Sequence, residues 1–323
     1  MANANLRGAV YSLVAFAIFA THDVVVKFLG AAYSPVQIIF FSVLFGFPLV
    51  TVMLIRDPVD GNLRPRHPWW SLTRTVSAVV TGVTAFYAFS VLPLAETYAI
   101  LFASPILITL LAIPILGEKV GLRRGLAIVV GMIGVLIVLR PGGAELSLGH
   151  AAALVAAVCS SLASVIVRRI GKEERSVVLL LYPMIGNFVV LGVALPFVYE
   201  PMPILHLGMV GIIALFGFVA MLFVIAAYRS AEAVIVAPMQ YSQMIWAAIF
   251  GYLIFNETPD AMTLVGAGVI IASGLYIVMR EGRANVSKNS PVLQSRSRPE
   301  TGLMPRISVM LRRGRERDQG PSG

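Results

Sequence analysis

Apolar residues form long unbroken runs along this chain, and short polar turns separate them. Runs of about 20 apolar residues have the length that a helix needs to cross a bilayer, and they do not alternate as the strands of a membrane barrel do. Because lipid offers the backbone no hydrogen-bond partners, the runs are predicted to be helices. The ten predicted spans are 7–29, 35–55, 71–92, 95–116, 122–139, 149–170, 176–198, 206–228, 231–255 and 261–279.

The second half of this pattern repeats the first. Residues 8–30 align with residues 149–171 without a gap, and Ile-Leu-Gly-Glu118 is matched by Ile-Phe-Asn-Glu257. Each half holds five spans, an odd number, so the two copies would enter the membrane in opposite directions. The prediction is an all-α polytopic membrane protein with ten transmembrane helices as two inverted five-helix repeats. Two unrelated halves with a similar Leu/Val/Ala-rich composition are the alternative. The predicted domains are the repeats 1–143 and 144–281 and a tail at 282–323.

Basic residues alternate between the two ends of the predicted spans. Of the 25 Lys and Arg residues, only Lys27 and Arg140 fall on the predicted outer side. Since basic residues concentrate in cytoplasmic loops, both termini are predicted to be cytoplasmic, with the chain in the bacterial inner (plasma) membrane. The net charge of +9 therefore reflects topology and a basic, disordered tail rather than nucleic-acid binding.

Motifs for catalysis and metal binding are missing from the sequence. It has no His-Glu-x-x-His, no phosphate-binding Gly-rich loop with Lys and no Gly-x-Ser-x-Gly. The four histidines lie in separate segments, and the single cysteine, Cys159, excludes an intrachain disulfide. The expectation is a protein that is not an enzyme and has no cofactor and no metal site.

Several short motifs recur around the fourth, fifth and ninth spans. They are Ala95-Glu96, Pro105, Gly117-Glu118, Arg123, Gly125, Gly131, Gly134 and Glu257. This set resembles the EamA-type branch of the drug/metabolite transporter (DMT) superfamily, over about residues 6–280. The resemblance implies ten helices around a central cavity lined by spans 1, 3, 4, 6, 8 and 9, and transport of small organic metabolites or drugs. The chain departs from the family pattern where Thr21-His22-Asp23 replaces a Trp-Gly pair and Gln243-Met244 stands in place of a proline.

Asp23, with His22 beside it, is the sharpest candidate for function. An ionisable side chain inside a span is costly and usually faces a cavity or a partner. Lys27 lies one helical turn further on, so it is predicted to pair with Asp23. The group is either a proton- or substrate-binding carboxylate held near an ammonium, or a structural ion pair with Lys27 reaching the headgroups. The position equivalent to Asp23 in the second half is Ser164, which favours function.

Other polar and aromatic residues lie deep in the spans and are predicted to line the cavity. Contacts to solute and interhelical hydrogen bonds are both open for them, because each polar group needs a partner in lipid. They are Tyr87, Tyr98, Ser104, Ser160, Ser161, Asn187, Gln240, Tyr241, Gln243 and Trp246. Glu96 begins the fourth span, where capping of the helix N-terminus is the favoured role, and Glu118 and Glu257 are expected to be turn or gate residues. Pro105 and Pro238 are predicted to interrupt backbone hydrogen bonding.

Together these patterns predict a secondary active transporter of amino-acid-like, nucleoside-like or vitamin-like solutes, or drugs. It would work by alternating access, proton-coupled or by exchange, with a small-molecule solute and the lipid bilayer as partners. The alternative is a membrane receptor or scaffold that acts through the basic C-terminal tail. A homodimer is left open by the small-residue pairs Ala127/Gly131 and Gly268/Ala272.

Overall fold

Helices make up almost all of the chain that the structure describes. The computed structural model covers residues 2–55, 64–117, 121–140, 146–170, 173–174, 176–231 and 236–281, over which it has eleven α-helices, one 3₁₀ helix and no strand. The helices are α1 (Ala2–Gly30), α2 (Pro35–Ile55), α3 (Pro68–Val91), α4 (Leu94–Leu101), α5 (Ser104–Leu116), α6 (Leu122–Leu139), α7 (Leu148–Ile170), α8 (Ser176–Val198), α9 (Ile204–Ser230), the 3₁₀ helix Ala237–Tyr241, α10 (Ser242–Phe255) and α11 (Ala261–Glu281). The predicted tail and Glu118 lie outside the described residues.

Most of these helices are apolar enough to lie in a membrane. Seven segments among the described residues combine the length and the hydropathy of a membrane span, and two shorter apolar helices accompany them. The seven are Leu6–Gly30, Pro68–Val91, Leu94–Leu116, Leu148–Ile170, Leu181–Val198, Ile204–Tyr228 and Ala261–Met279. Because several helices of this kind pack into one bundle, the chain is a multi-pass membrane protein.

Three helix pairs form the frame of the bundle: α1 packs along α9, α3 along α7 and α6 along α11. Glycines allow the closest of these approaches. A Cβ atom on Gly266 would lie 2.8 Å from the carbonyl oxygen of Gly134, so the backbones of α6 and α11 meet where neither has a side chain. Close backbone approach through glycine is a common way for helices to associate in lipid.

The predicted fourth span is not the continuous helix expected for 95–116. α4 ends at Leu101 and α5 begins at Ser104. Pro105 has no N–H to donate to the carbonyl of Leu101, four residues earlier. The hydroxyl of Ser104 donates to that carbonyl instead, at 2.6 Å. From α7, Ser161 Oγ donates to the carbonyl oxygen of Ser104 at 3.3 Å, so the interruption is held by polar side chains.

The predicted ninth span, 231–255, is also not a regular α-helix. Pro238 lies in the first turn of a 3₁₀ helix that runs to Tyr241, and α10 begins only at Ser242. Glu232, the second residue of this predicted span, lies outside the described residues. Both spans in which a proline was predicted to interrupt the backbone hydrogen bonds, Pro105 and Pro238, are therefore irregular in the described chain.

Two turns share an unusual backbone conformation. Gly117 ends α5 with φ of 68°, and Asn256 ends α10 with φ of 54°. Glycine and asparagine are the residues that most readily enter this left-handed region at the end of a helix. In the sequence each precedes a glutamate, and Asn256 thereby sends the chain back so that Glu257 points toward the bundle.

Close contacts of two further glycines lie at opposite ends of the bundle. A Cβ on Gly8, at the start of α1, would overlap the Cβ of Ala231. A Cβ on Gly149, at the start of α7, would lie 2.8 Å from Cγ of Leu92. In both places the start of a helix packs against the residues that precede one of the two interrupted spans.

Candidate functional site

Asp23 is a buried carboxylate on α1, one helical turn before Lys27, and is 1% exposed. One of its oxygens, Oδ1, lies 2.7 Å from Nδ1 of His22. The other, Oδ2, accepts a hydrogen bond from the hydroxyl of Tyr98 in α4. Burying a carboxylate is costly unless its oxygens are bonded, and here both oxygens have a donor.

The hydrogen bonding continues from Asp23 into the ninth span. Gln243 Nε2 in α10 donates to the Tyr98 hydroxyl oxygen at 3.3 Å. Asp23, Tyr98 and Gln243 are 1%, 2% and 4% exposed, so the chain of bonds is closed off from solvent. It connects α1 to both interrupted spans, and a change in the charge of Asp23 therefore acts directly on α4 and, through Tyr98, on α10.

His22 adds an unsatisfied polar atom to this network. Its ring is fully buried and lies edge-on to Phe86 with the centroids 6.1 Å apart. While Nδ1 faces Asp23, Nε2 is buried and has no hydrogen-bond partner among the described residues. An imidazole nitrogen in this position can accept or donate a proton once a partner enters.

Lys27 does not form its ion pair with Asp23 as predicted. Its ammonium lies 2.6 Å from Oε1 of Glu257 and donates to the carbonyl oxygen of Leu92 at 2.5 Å. The ring of Phe255 lies 5.3 Å from the ammonium and adds a cation–π contact. The prediction was wrong because it used only neighbours on one helix, and packing brought a carboxylate from 230 residues further along the chain.

Glu257 joins three parts of the bundle at once. While Oε1 binds Lys27 of α1, Oε2 accepts a hydrogen bond of 3.1 Å from the backbone N–H of Leu94, the first residue of α4. The capping expected of Glu96 is therefore supplied by Glu257. Glu96 lies in the first turn of α4 and pairs with Nε2 of His150 at 2.9 Å.

More charged pairs lie at the same end of the bundle, which is called the Lys27 end here. Arg140, after α6, pairs with Asp260, before α11. Tyr33 contacts His206 through a 2.7 Å hydrogen bond between Oη and Nδ1. The Lys27 end is defined by Lys27, Glu96, Arg140, His150, Glu257 and Asp260. These pairs link α1, α4, α6, α7 and α11, so this end is closed by polar contacts.

The remaining predicted site residues are not brought into the Asp23 network by the bonds that the structure shows. Ser160 and Asn187 are buried, but they donate to carbonyls of their own helices, at 3.0 and 2.9 Å. Tyr241 packs its ring edge-on to Phe102, which in turn contacts Tyr98. The others are partly buried: Tyr87, Ser104, Gln240 and Trp246.

Two site residues were underestimated from the sequence. Glu257 was expected to be a turn or gate residue without a named partner, and His150 was given no role. The Asn-Glu pair after an apolar span is the signal for Glu257, since Asn favours the left-handed turn that reverses the chain. Nothing in the local pattern indicates His150, because its partner Glu96 is 54 residues away.

The fold and the buried site together define a multi-pass membrane protein with a polar network at the centre of an apolar bundle. The model of the EamA-like transporter family matches residues 6–140 and again residues 147–279. The chain therefore belongs to the EamA-like transporter family, within the DMT superfamily, and the resemblance seen in the sequence is confirmed. At this level it is a small-molecule transporter of the membrane and not an enzyme.

Relatives with assigned solutes match nearly the whole chain. An S-adenosylmethionine uptake transporter of Rickettsia prowazekii (strain Madrid E) is 26% identical, with 88% of this chain and 96% of the relative covered. A riboflavin transporter of Rhizobium johnstonii is 27% identical, over 85% and 92%. A pseudopaline exporter of Pseudomonas aeruginosa is 25% identical, over 82% and 94%. A solved crystal structure shares the fold, with a TM-score of 0.51 at 17% identity, over 85% of this chain and 96% of the other.

Proposed function

We propose that this protein is a secondary active transporter that moves a small organic solute by alternating access, coupled to protons through Asp23. The observation that carries the proposal is the bonding of one buried carboxylate to α4 and, through Tyr98, to α10. Ionisable groups inside a membrane bundle are typical of ion and substrate pathways. Protonation of Asp23 would weaken its bond to Tyr98 and release both interrupted spans together.

The proposed architecture is ten spans in two inverted repeats, with both termini in the cytoplasm and the Lys27 end facing outward. Three observations support this architecture. The family model matches each half of the chain, a left-handed turn precedes both Glu118 and Glu257, and Gly8 and Gly149 make close contacts at the starts of α1 and α7. Inverted repeats allow one half to rock against the other around a central site. On this proposal, the ion pairs at the Lys27 end must separate for the bundle to open on that side.

Cysteine labelling tests this topology. With Cys159 replaced by alanine, Leu146→Cys should react with an impermeant reagent from outside whole cells, whereas Ser290→Cys should react only after permeabilisation. Labelling of both positions from the same side would remove the inverted arrangement and with it the alternating-access mechanism.

Flux in proteoliposomes tests the transport proposal. The solute panel should start with S-adenosylmethionine, riboflavin and amino acids, because relatives are named for the first two and the predicted class includes the third. An imposed proton gradient should drive accumulation of at least one solute. Asp23→Asn should abolish this accumulation and keep solute exchange, since the amide retains the shape of the side chain without its charge.

The matched control is Ser164→Ala, at the position equivalent to Asp23 in the second half and also buried, 3% exposed. It should keep gradient-driven accumulation. Accumulation by Asp23→Asn at the rate of the unmodified protein would remove Asp23 from the coupling, and the absence of both uptake and exchange for every solute of a broad panel would defeat the transport mechanism itself.

A further inference from the structure

An apolar groove of about 850 Å³ runs between α3 and α8 on the surface of the bundle. Large side chains that are more than 40% exposed form much of its walls: Trp69, Leu72, Val76, Ile185, Val189 and Val190. Exposed apolar side chains on a membrane helix face lipid. α8 is well suited to this position because only 22% of its residues from Leu181–Val198 are buried.

The two helices pack against each other at Gly186, and Arg74 of α3 also donates to the carbonyl oxygen of Leu179 in α8. A Cβ on Gly186 would overlap Cγ2 of Thr75, so α8 approaches α3 most closely at this glycine. The branched side chains on either side of the contact keep the flanking surfaces apart. The result is a groove with a floor formed by the helix contact and a side open to the bilayer.

The length of the groove matches one leaflet of a membrane. Its lining extends along α3 from Pro68 to Val80, which is about 18 Å at 1.5 Å per residue. The hydrocarbon core of a bilayer is about 30 Å thick, so one leaflet is about half of that. An acyl chain that starts at the membrane surface would lie along the groove and end near the bilayer centre.

Arginine residues lie at the mouth of the groove. Pro65 lines the mouth and is flanked in sequence by Arg64 and Arg66, both exposed. Two acidic residues also lie beside the mouth, and both are bonded to His67: Glu174 Oε1 accepts from its backbone N–H, and Glu173 Oε2 lies 2.6 Å from its Nε2. Trp69 is 79% exposed beside the arginines, where aromatic residues anchor helices at the membrane surface.

We propose that this groove is a binding site for one anionic phospholipid, with an acyl chain between α3 and α8 and the headgroup phosphate at Arg66. The apolar wall, the one-leaflet length and the basic mouth each match a different part of such a lipid. A zwitterionic lipid would fill the wall equally well but would lose the attraction at the mouth, which falls off within a Debye length of about 8 Å at physiological salt. The site requires only that the protein lies in a membrane, so it does not depend on the transport mechanism.

Native mass spectrometry of the detergent-purified protein, incubated with phosphatidylglycerol or phosphatidylcholine, tests the site. The unmodified protein should retain one phosphatidylglycerol. Val76→Phe with Val189→Phe fills the groove and should lower this retention at least tenfold. The control is Val129→Phe with Val130→Phe on α6, where the valines are 57% and 48% exposed, close to 52% for Val76 and 54% for Val189. The control pair should bind as the unmodified protein does.

A second variant tests the mouth without touching the packing of the spans. Arg66→Gln should weaken phosphatidylglycerol binding by about fivefold, the equivalent of about 1 kcal/mol for one basic residue near a membrane surface, and leave phosphatidylcholine binding unchanged. Arg7→Gln, an exposed arginine at the start of α1, is its control. Retention of phosphatidylglycerol by the groove-filled protein at the unmodified level overturns the site. Equal binding of the two lipids by the unmodified protein overturns the site as well. A groove-filled variant that keeps its lipid binding and loses solute uptake also overturns it, because the groove would then belong to the solute.

Discussion

The ammonium of Lys27 lies 2.6 Å from the carboxylate of Glu257, and the two residues come from opposite ends of the sequence. Their side chains are only 10% and 21% exposed, so water screens the pair weakly. Glu257 also caps α4 through the N–H of Leu94, and Lys27 donates to the carbonyl oxygen of Leu92, the residue that follows α3. Opening the bundle at this end therefore requires these three interactions to separate together.

Removal of one partner of this pair should lower stability strongly. Breaking a buried ion pair costs about 3–5 kcal/mol, and partial exposure places Lys27→Met and Glu257→Gln toward the lower part of that range. The double variant should recover part of the loss, because no buried charge is left alone. Thermal unfolding in detergent measures all three. Arg140→Met is the comparison, since its pair with Asp260 is more exposed and should contribute less than about 1 kcal/mol. Equal losses for Lys27→Met and Arg140→Met would contradict the assignment.

Tyr98→Phe should destabilise the protein by about 1–3 kcal/mol, the cost of leaving buried polar groups without partners. The phenyl ring keeps the contacts to Phe89 and Phe102, but Asp23 loses a donor and Gln243 loses an acceptor. The midpoint of thermal unfolding reports the loss. Tyr276→Phe, on an exposed position of α11, should unfold at the temperature of the unmodified protein. A Tyr98→Phe protein as stable as this control would show that the hydroxyl is not part of a closed network.

Two glycines of α11 should respond in opposite ways to an added methyl group. Gly266→Ala places a Cβ 2.8 Å from the backbone oxygen of Gly134, and such overpacking costs about 1–3 kcal/mol. Gly268→Ala meets nothing within 4 Å and should leave the stability unchanged or raise it by up to about 1 kcal/mol, since alanine favours helix more than glycine does. Thermal unfolding of the two proteins side by side is the measurement. The reverse order would contradict the close packing of α6 and α11.

The interruption between α4 and α5 should matter for transport more than for stability. Pro105→Ala restores an N–H that can donate to Leu101, so a continuous helix becomes possible and stability should be equal or higher. On the proposed mechanism, the rate of solute uptake should fall because a straight span cannot move as two parts. Pro114→Ala, near the exposed end of α5, is the control and should keep its uptake rate. Unchanged uptake by Pro105→Ala would separate the interruption from transport.

Deletion of residues 284–323 distinguishes a transporter from a receptor or scaffold that acts through its tail. The spans and the Asp23 network all lie before this segment. Flux in proteoliposomes should therefore persist in the truncated protein at the rate of the full chain. Loss of flux from a truncated protein that still inserts and unfolds normally would favour a role of the tail in function.

The helices themselves could be predicted from the sequence because the apolar runs are long and the bilayer sets their length. The fifth predicted span, 122–139, coincides with α6, and the third, 71–92, differs from α3 by a few residues at its start. The prolines correctly indicated that spans four and nine are irregular. They could not indicate that the helix restarts at Ser104 and Ser242, because the positions of the breaks depend on side chains from neighbouring helices.

The partners within the site could not be predicted in the same way. Asp23, Tyr98 and Gln243 were each chosen as polar residues in apolar spans, but nothing in local spacing shows that they contact one another. Their bonds cross 75 and 145 residues of sequence. Lys27 illustrates the same limit, since spacing along one helix suggested Asp23 while packing supplied Glu257. The local sequence therefore identifies which buried polar residues need a partner, but the identity of each partner depends on the tertiary packing.

The glycines at positions 8 and 149 give the proposed duplication an energetic meaning. Each places the start of a helix against the residues that lead into an interrupted span, one at either end of the bundle, and neither contact involves a charge. Both contacts are close packing of small apolar groups, and the Lys27 end carries the ion pairs of Lys27 and His150 in addition. On the proposed mechanism, the free energy that separates these ion pairs is what a bound solute or proton must supply before the Lys27 end opens, whereas the Gly8 contact has no such charge to separate.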